Sequence, residues 1–328
     1  MNCKSFITMF IALTVVTLFT VGCSSNEKNA DNQQVVEPES NETSSDSQTK
    51  RVIKHLQGET TIIGEPSKIA VLDYRLADSM IALGTKPYAM ATYLGNTDLE
   101  YMEGNPLDGV VGLGDDINLE AILQAEPDLI IARQGHVEQF DSLNKIAPTI
   151  ILEESANWRD DFRLFAEVLG KTQEADNWLK QYEDKVADAK SKIAPLIDSG
   201  KTAVVLRILP KEYRVYGTKQ QLGGILYGDL GLQASESVEA IGKAEPISIE
   251  TLPDFDADYI FVQVGFPVIG GDSDAEKNFE EMMDSSLWKN LKAVKNNHIF
   301  IVPYWTLRDF PIINEKSLEI VSQHILAE

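Results

Sequence analysis

Thiol chemistry is almost absent from this chain. Of its 328 residues only Cys3 and Cys23 are cysteine, and both lie close to the N-terminus. A domain built from the remainder has no disulfide available, so its stability must come from core burial. Histidine is scarce as well: His55, His136, His298 and His324 are scattered and make no spaced metal set, so no metal held directly by the protein is expected. Cationic residues are outnumbered, 29 Lys and Arg against 51 Asp and Glu, for a formal net charge of −22. That balance excludes nucleic acid and an anionic membrane surface as primary partners, because their phosphates would be repelled. Catalytic signatures are missing too: there is no G-x-S-x-G, no H-E-x-x-H and no G-x-x-x-x-G-K-[ST], and "GVVGLGDD" lacks the lysine of a phosphate loop. An enzyme is not expected.

What is present describes an exported two-lobed protein. Hydrophobic content of 43% and charge of 24% are those of a soluble globular chain, and the length exceeds what one core usually serves. Lys4, an apolar run from Phe6 to Val21 and "TVGCSS" read as an export signal, the run being short for a membrane span. Small residues before Cys23 suit a lipoprotein signal that would leave Cys23 lipidated as the first mature residue, although Thr20 stands where leucine is commonest. Several acyl chains on one residue would anchor the protein durably to the outer face of a membrane. From Ser24 to Lys50 the chain is polar and free of aromatics, which predicts a tether.

Beyond the tether, short apolar strands alternate with helical segments, among them "KIAVLDY", "NLEAILQAE", "DLIIA" and "APTIILE". Such alternation predicts a mainly parallel sheet with helices on its faces. "QEADNWLKQYEDKVADAKSKIAPLI" carries Trp178, Tyr182 and Val186 at i, i+4 and i+8, which predicts a long amphipathic helix, and a second α/β pattern follows it. "INLEAILQAEPDLII" (117–131) aligns without a gap on "ISIETLPDFDADYIF" (247–261), matching Glu120 with Glu250 and Asp128 with Asp258. The expected fold is therefore α/β, two Rossmann-like lobes joined by one long helix with a ligand cleft between them. The boundaries are signal peptide 1–22, tether 23–51, N-terminal lobe 52–172, connecting helix 173–197 and C-terminal lobe 198–328.

Against the acidic background, cations stand at strand ends. Arg75 follows "KIAVLDY", and Arg133 and His136 follow "PDLIIA", where open α/β sheets bind ligands. In the second lobe, alternation in "EYRVYG" puts Arg214 and Tyr216 on one face, with Arg207 in the preceding segment, and "YWTLRDF" adds Trp305 and Arg308. Planar guanidinium suits oxygen-rich anions, and aromatic walls supply apolar cover. Glu120 and Glu250 fall just after the helix-capping residues Asn118 and Ser248. A carboxylate there favours the helix dipole by a few tenths of a kcal/mol and needs no partner, but a matched pair at equivalent positions could also accept arginines from a two-fold partner.

Together "PSKIAVLD", "ALGTKP", "INLEAILQAEPDLIIA", "LNKIAPTI", the long helix, "SIETL" and "LWKNLKAVKNNHIF" resemble the ferric-siderophore substrate-binding lipoproteins of ABC importers, a group that also contains cobalamin and haem binders. The resemblance runs from about residue 52 to the C-terminus. It implies a monomeric receptor with a shallow cleft, Glu120 and Glu250 docking onto arginines of the permease, and ferric iron carried only inside its siderophore. "IIARQGH" and "KIAPTI" are most similar to binders of citrate-based and citrate–hydroxamate complexes, whose arginines meet an anionic ligand. Under it Arg75, Arg133, Arg207, Arg214 and Arg308 would balance ligand charge, with Tyr216, Trp305 and His136 shaping the pocket. The alternatives are a haem or cobalamin receptor, in which His136 or Tyr216 would serve as axial ligand to haem, and more remotely a surface-anchored hydrolase on the same fold.

Overall fold

A computed structural model describes residues 50–268 and 271–327; the export signal, Cys23 and nearly all of the tether lie outside the described residues. The described residues open with an antiparallel hairpin, β1 (Lys50–His55) and β2 (Gly58–Ile63), in register from Lys50 opposite Ile63 to His55 opposite Gly58. The first lobe then lays down β3 (Ile69–Val71), β4 (Ala89–Met90), β5 (Val111–Gly112), β6 (Leu129–Arg133) and β7 (Thr149–Leu152). All pair in parallel, in the order β5-β4-β3-β6-β7. The chain winds outward from β3 first to one side and then, at β6, to the other. The crevice beyond the carboxyl ends of β3 and β6 is therefore the topological switch point, where such sheets place ligands.

The second lobe comprises β8 (Ala203–Leu209), β9 (Glu212–Tyr216), β10 (Ala244–Ile247), β11 (Tyr259–Val264) and β12 (Ile299–Ile301). Their order is β10-β9-β8-β11-β12; β8, β11 and β12 run parallel, while β9 is antiparallel to both neighbours. The duplication read in the sequence recurs at atomic detail. Asp128, just before β6, accepts from the Ser67 N–H and hydroxyl and the Lys68 N–H ahead of β3. Asp258, at the matching place before β11, accepts from the Thr202 N–H and hydroxyl and pairs with Lys201 ahead of β8. Each aspartate thus fixes the start of the neighbouring strand, so the two acidic identities of the repeat are structural.

One helix, Thr172–Asp198, joins the lobes. It buries Ala175, Leu179, Tyr182, Val186, Ala189 and Ile193, a spacing of three and four that keeps one stripe inward. Ala175 and Leu179 enter the first lobe's core and the other four enter the second's, so the two cores are spliced along one rigid rod. Pro195 lies inside the last turn of this helix. The C-terminal helix Pro311–Leu326 makes a second tie that the sequence did not show. Asp78 of the first lobe, on helix Tyr74–Ala82, accepts the Ile312 and Ile313 N–H groups at 2.9 and 3.2 Å and so caps that helix from across the cleft. Burial pushes the Asp78 carboxyl up to about 7 despite those two donors. Arg159 adds a third tie, bridging Asp229 at 2.9 Å and Glu183 at 2.8 Å.

Candidate functional site

Between the lobes, at the carboxyl ends of β3 and β6, is a cavity of about 230 Å3. From the first lobe Arg75, Arg133 and Glu154 line it, backed by Trp158, Phe162 and Phe165 of helix Trp158–Leu169; Gln221, Lys243, Arg308 and Phe310 face them. The arrangement is organised by Asp73, which sequence reading passed over. Asp73 ends the β3 strand extension and N-caps helix Tyr74–Ala82, accepting the Arg75 N–H at 2.9 Å. Its buried carboxylate also accepts from Arg75 Nε at 2.8 Å and Nη2 at 2.5 Å, and from Arg133 Nη1 at 3.0 Å. Burial alone would raise this carboxyl, but the bond and charge of Arg75, joined by Arg133, hold it down at about 2. One acid thus holds two guanidiniums side by side.

Arg133 is itself buried as the last residue of β6. Its Nη2 meets Glu154 at 2.6 Å, and its guanidinium lies 5.1 Å from the centre of the Phe310 ring, which Arg75 also approaches at 5.9 Å. Arg308 differs from both. It donates to its own neighbour's Leu307 carbonyl at 3.0 Å, its Nε is buried without a partner, and among the described residues no carboxylate lies within ion-pair distance of it. Arg207, on β8, has the same character: it donates to the Gly265 carbonyl at 3.3 Å, lies 5.0 Å from the Phe266 ring centre, and carries a buried, unpartnered Nε. Among the described residues neither cation has a counter-ion, but only Arg308 lines the cavity; Arg207, predicted to balance ligand charge, does not.

The other predicted residues are distributed as follows. Arg214 stands opposite Arg207 in the β8–β9 register and pairs with Glu212, away from the cavity wall. Tyr216 shares its face, as alternation required, but is buried in the second lobe's core with Val205 and does not line the cavity. His136 follows β6 in a 3-10 segment, Gln134–Gln139; its Nδ1 is buried without a partner and burial lowers its pKa, which favours the neutral imidazole. Trp305 is buried against Tyr101 at 5.5 Å and borders a second recess of about 510 Å3. That recess holds an aromatic stack missed in the sequence: Tyr74 to Tyr93 at 4.4 Å and Tyr93 to Tyr304 at 5.8 Å, the last from the loop after β12. Tyr74 adjoins Arg75, so the two recesses meet at the N-terminus of one helix. A signal existed for Asp73, a capping residue after an apolar strand. None existed for Tyr93 and Tyr304, which only the lobe arrangement brings together.

Glu120 and Glu250 are both exposed and occupy the same position, two residues beyond the capping residues Asn118 and Ser248. Glu120 lies in helix Leu119–Ala125. Glu250 lies in a 3-10 segment, Ile249–Phe255, whose Pro253 has no N–H to continue an α-helix. Among the described residues no cluster of His, Cys, Asp and Glu could hold a metal ion, and no helix is long and apolar enough to cross a membrane.

Comparison with known proteins adds to this geometry. The periplasmic binding protein family matches residues 69–304. The chain is 33% identical over 309 residues to the probable siderophore-binding lipoprotein YfiY of Bacillus subtilis, covering 90% of each. It is 27% identical over 303 residues to the Fe(3+)-citrate-binding protein YfmC of the same organism, covering 90% of this chain and 89% of that one. Among solved structures, Staphylococcus aureus SirA complexed with staphyloferrin B superimposes with a TM-score of 0.71 at 30% identity, over 83% of this chain and 96% of SirA. These relatives are named for binding rather than catalysis, which stands against the hydrolase alternative.

Proposed function

The chain belongs to the periplasmic binding protein family, and from that premise we propose that it is the substrate-binding subunit of an ABC importer that captures an anionic ferric siderophore, of citrate–hydroxamate or carboxylate type, and delivers it to the permease. The observation that carries this reading is the convergence of guanidiniums on one cleft. Arg75 and Arg133 are held side by side on the first lobe by Asp73, and Arg308 faces them from the second with no carboxylate within ion-pair distance among the described residues. An oxygen-rich anion entering there would meet planar donors from both sides with aromatic cover from Phe310, and binding would draw the lobes together. A neutral complex would leave Arg308 uncompensated. Ferric iron is cargo in this account, enclosed by its own ligand. Relatives named for siderophore and ferric citrate binding support the same substrate class.

The remaining parts of the proposal concern delivery. Glu120 and Glu250, exposed at duplicated positions, are the docking anchors for arginines of the permease. Lipidation of Cys23, outside the described residues, would hold a monomeric receptor on the outer face of the membrane, and a relative named as a lipoprotein supports that placement.

Fluorescence titration of the purified protein with ferric citrate–hydroxamate, catecholate and trihydroxamate complexes, haem and cobalamin tests the ligand class. The citrate–hydroxamate complex should bind tightest and the neutral trihydroxamate weakest of the three siderophores. The second reading is a haem receptor, and His136 does not favour it: its Nδ1 is buried and the residue does not line the cleft cavity. A Soret band in the loaded protein would replace the siderophore reading with this one.

A further inference from the structure

The wall of the cleft nearly neutralises itself. Arg75, Arg133, Lys243 and Arg308 face Glu153, Glu154, Asp161 and Asp309, with Asp73 beneath. Several of these acids are committed to the fold. Asp73 caps a helix and holds Arg75, Asp161 accepts the Ser155 N–H at 2.9 Å, and Asp309 accepts the Gln221 N–H at 2.8 Å. Glu154 has no such task. It lies in the irregular segment between β7 and helix Trp158–Leu169, and among the described residues its carboxylate pairs with Arg133 Nη2 alone, at 2.6 Å. Its side chain is 41% exposed whereas that of Arg133 is 11% exposed. Arg133 therefore offers one edge to buried Asp73 and presents the other to the cleft, where an exposed carboxylate of the same chain covers it. A guanidinium engaged on both edges cannot take a ligand carboxylate in the two-pronged geometry that makes such pairs strong.

We infer that Glu154 is a resident substitute for the ligand's own carboxylate: it holds Arg133 in place while the cleft is empty and is displaced when a ligand oxygen anion takes Nη2. The inference rests on the anionic-ligand reading above and makes Glu154 a specificity-determining residue. Exchanging one carboxylate for another at Arg133 brings little by itself, so a complex offering a single neutral oxygen cannot dislodge Glu154. One that presents an anion to Arg133 while another of its oxygens reaches unpaired Arg308 gains at both. Glu154 would thus set a charge threshold for entry, and the release of its carboxylate to solvent costs little because it is already well exposed.

The test is Glu154→Gln, which keeps the shape and removes the charge at a solvent-facing position. Its affinity for the ferric citrate–hydroxamate complex should rise about tenfold, with slower dissociation, while affinity for a neutral ferric trihydroxamate stays within about twofold. In an Arg133→Ala background the same substitution should do nothing beyond a uniform change shared by all ligands. Unchanged or weaker binding of the anionic complex by Glu154→Gln, with wild type binding it normally, overturns the inference and leaves the siderophore reading standing. Iron-free citrate serves as a second probe. If wild type binds no ferric complex yet Glu154→Gln takes citrate more tightly, the siderophore reading fails and the role of Glu154 survives; if wild type binds no ferric complex and citrate does not distinguish the variants, both fail.

Discussion

Replacing Asp73 by alanine should destabilise the protein by about 4–6 kcal/mol, a large share of the roughly 5–15 kcal/mol that separates folded from unfolded states. The figure is built from three losses. The N-cap of helix Tyr74–Ala82 disappears, at about 1 kcal/mol. A buried ion pair is broken from the anionic side, which in buried settings costs about 3–5 kcal/mol because Arg75 is left desolvated without its partner and Arg133 keeps only Glu154. Arg75 and Arg133, no longer separated by a carboxylate, also repel each other across the gap. These losses share groups, so they do not add in full. The pH dependence supplies an independent and smaller number. The Asp73 carboxyl lies at about 2 when folded against 3.8 when free, and that depression corresponds to about 2 kcal/mol. Because the folded pKa is depressed, this stability is present above pH 3.8 and is lost as pH falls through about 2. The titration figure is smaller than the truncation figure for a physical reason: burial opposes ionisation of Asp73 and is already subtracted from its pKa, whereas truncation leaves the guanidiniums' desolvation uncompensated. Urea unfolding of wild type and Asp73→Ala at pH 7, with wild type and Asp73→Asn followed from pH 6 to pH 2, measures both. A loss below 1 kcal/mol at pH 7, or the same acid limb in wild type and Asp73→Asn, would refute the claim that Asp73 organises the arginines.

Two further outcomes follow from the same geometry. Glu120→Ala with Glu250→Ala should leave ligand affinity unchanged and abolish uptake by cells, since both carboxylates are exposed; loss of binding in the purified double variant would show that they act on the cleft instead. Asp78, pushed up to about 7, binds a proton more readily in the folded state, so stability from this residue is lost as pH rises from 3.8 through about 7. Asp78→Asn should therefore gain on wild type by at most about 4 kcal/mol between pH 4 and pH 8, on top of a pH-independent offset from losing one acceptor for the Ile312 or Ile313 N–H. A stability difference that does not vary over that range, measured by urea unfolding, would show that Asp78 ionises normally.

Much of the scaffold was legible because it rests on periodicity. The bridging helix announces itself by a stripe that recurs every three or four residues, and the duplicated segment carries Asp128 and Asp258, whose strand-starting bonds explain why those acids repeat. Arg133 stood out for the same reason: a cation ending a wholly buried strand must have a partner. What that partner is could not be read, because Asp73, Glu154 and Phe310 reach Arg133 from three separated stretches of chain. Alternation likewise gave the face of β9 and not the depth. Tyr216 and Arg214 do share a face, but Tyr216, the last residue of β9, lies opposite Val205 in the core shared with the bridging helix, while Arg214, at the middle of the strand opposite Arg207, is only partly buried. The tyrosine stack depends on Tyr304 of one lobe meeting Tyr93 of the other, a contact without any local sequence signal.

The central claim is that guanidiniums from both lobes meet one anionic ligand in the cleft. Equilibrium titration of the Arg133→Ala, Arg308→Ala double variant with ferric citrate–hydroxamate, beside wild type and with the fold checked by thermal unfolding, tests it most directly. Each charged hydrogen bond to ligand contributes about 1.5–3 kcal/mol, so affinity should fall by at least about a hundredfold in the double variant. An intact fold that binds the anionic complex as tightly as wild type would contradict the account.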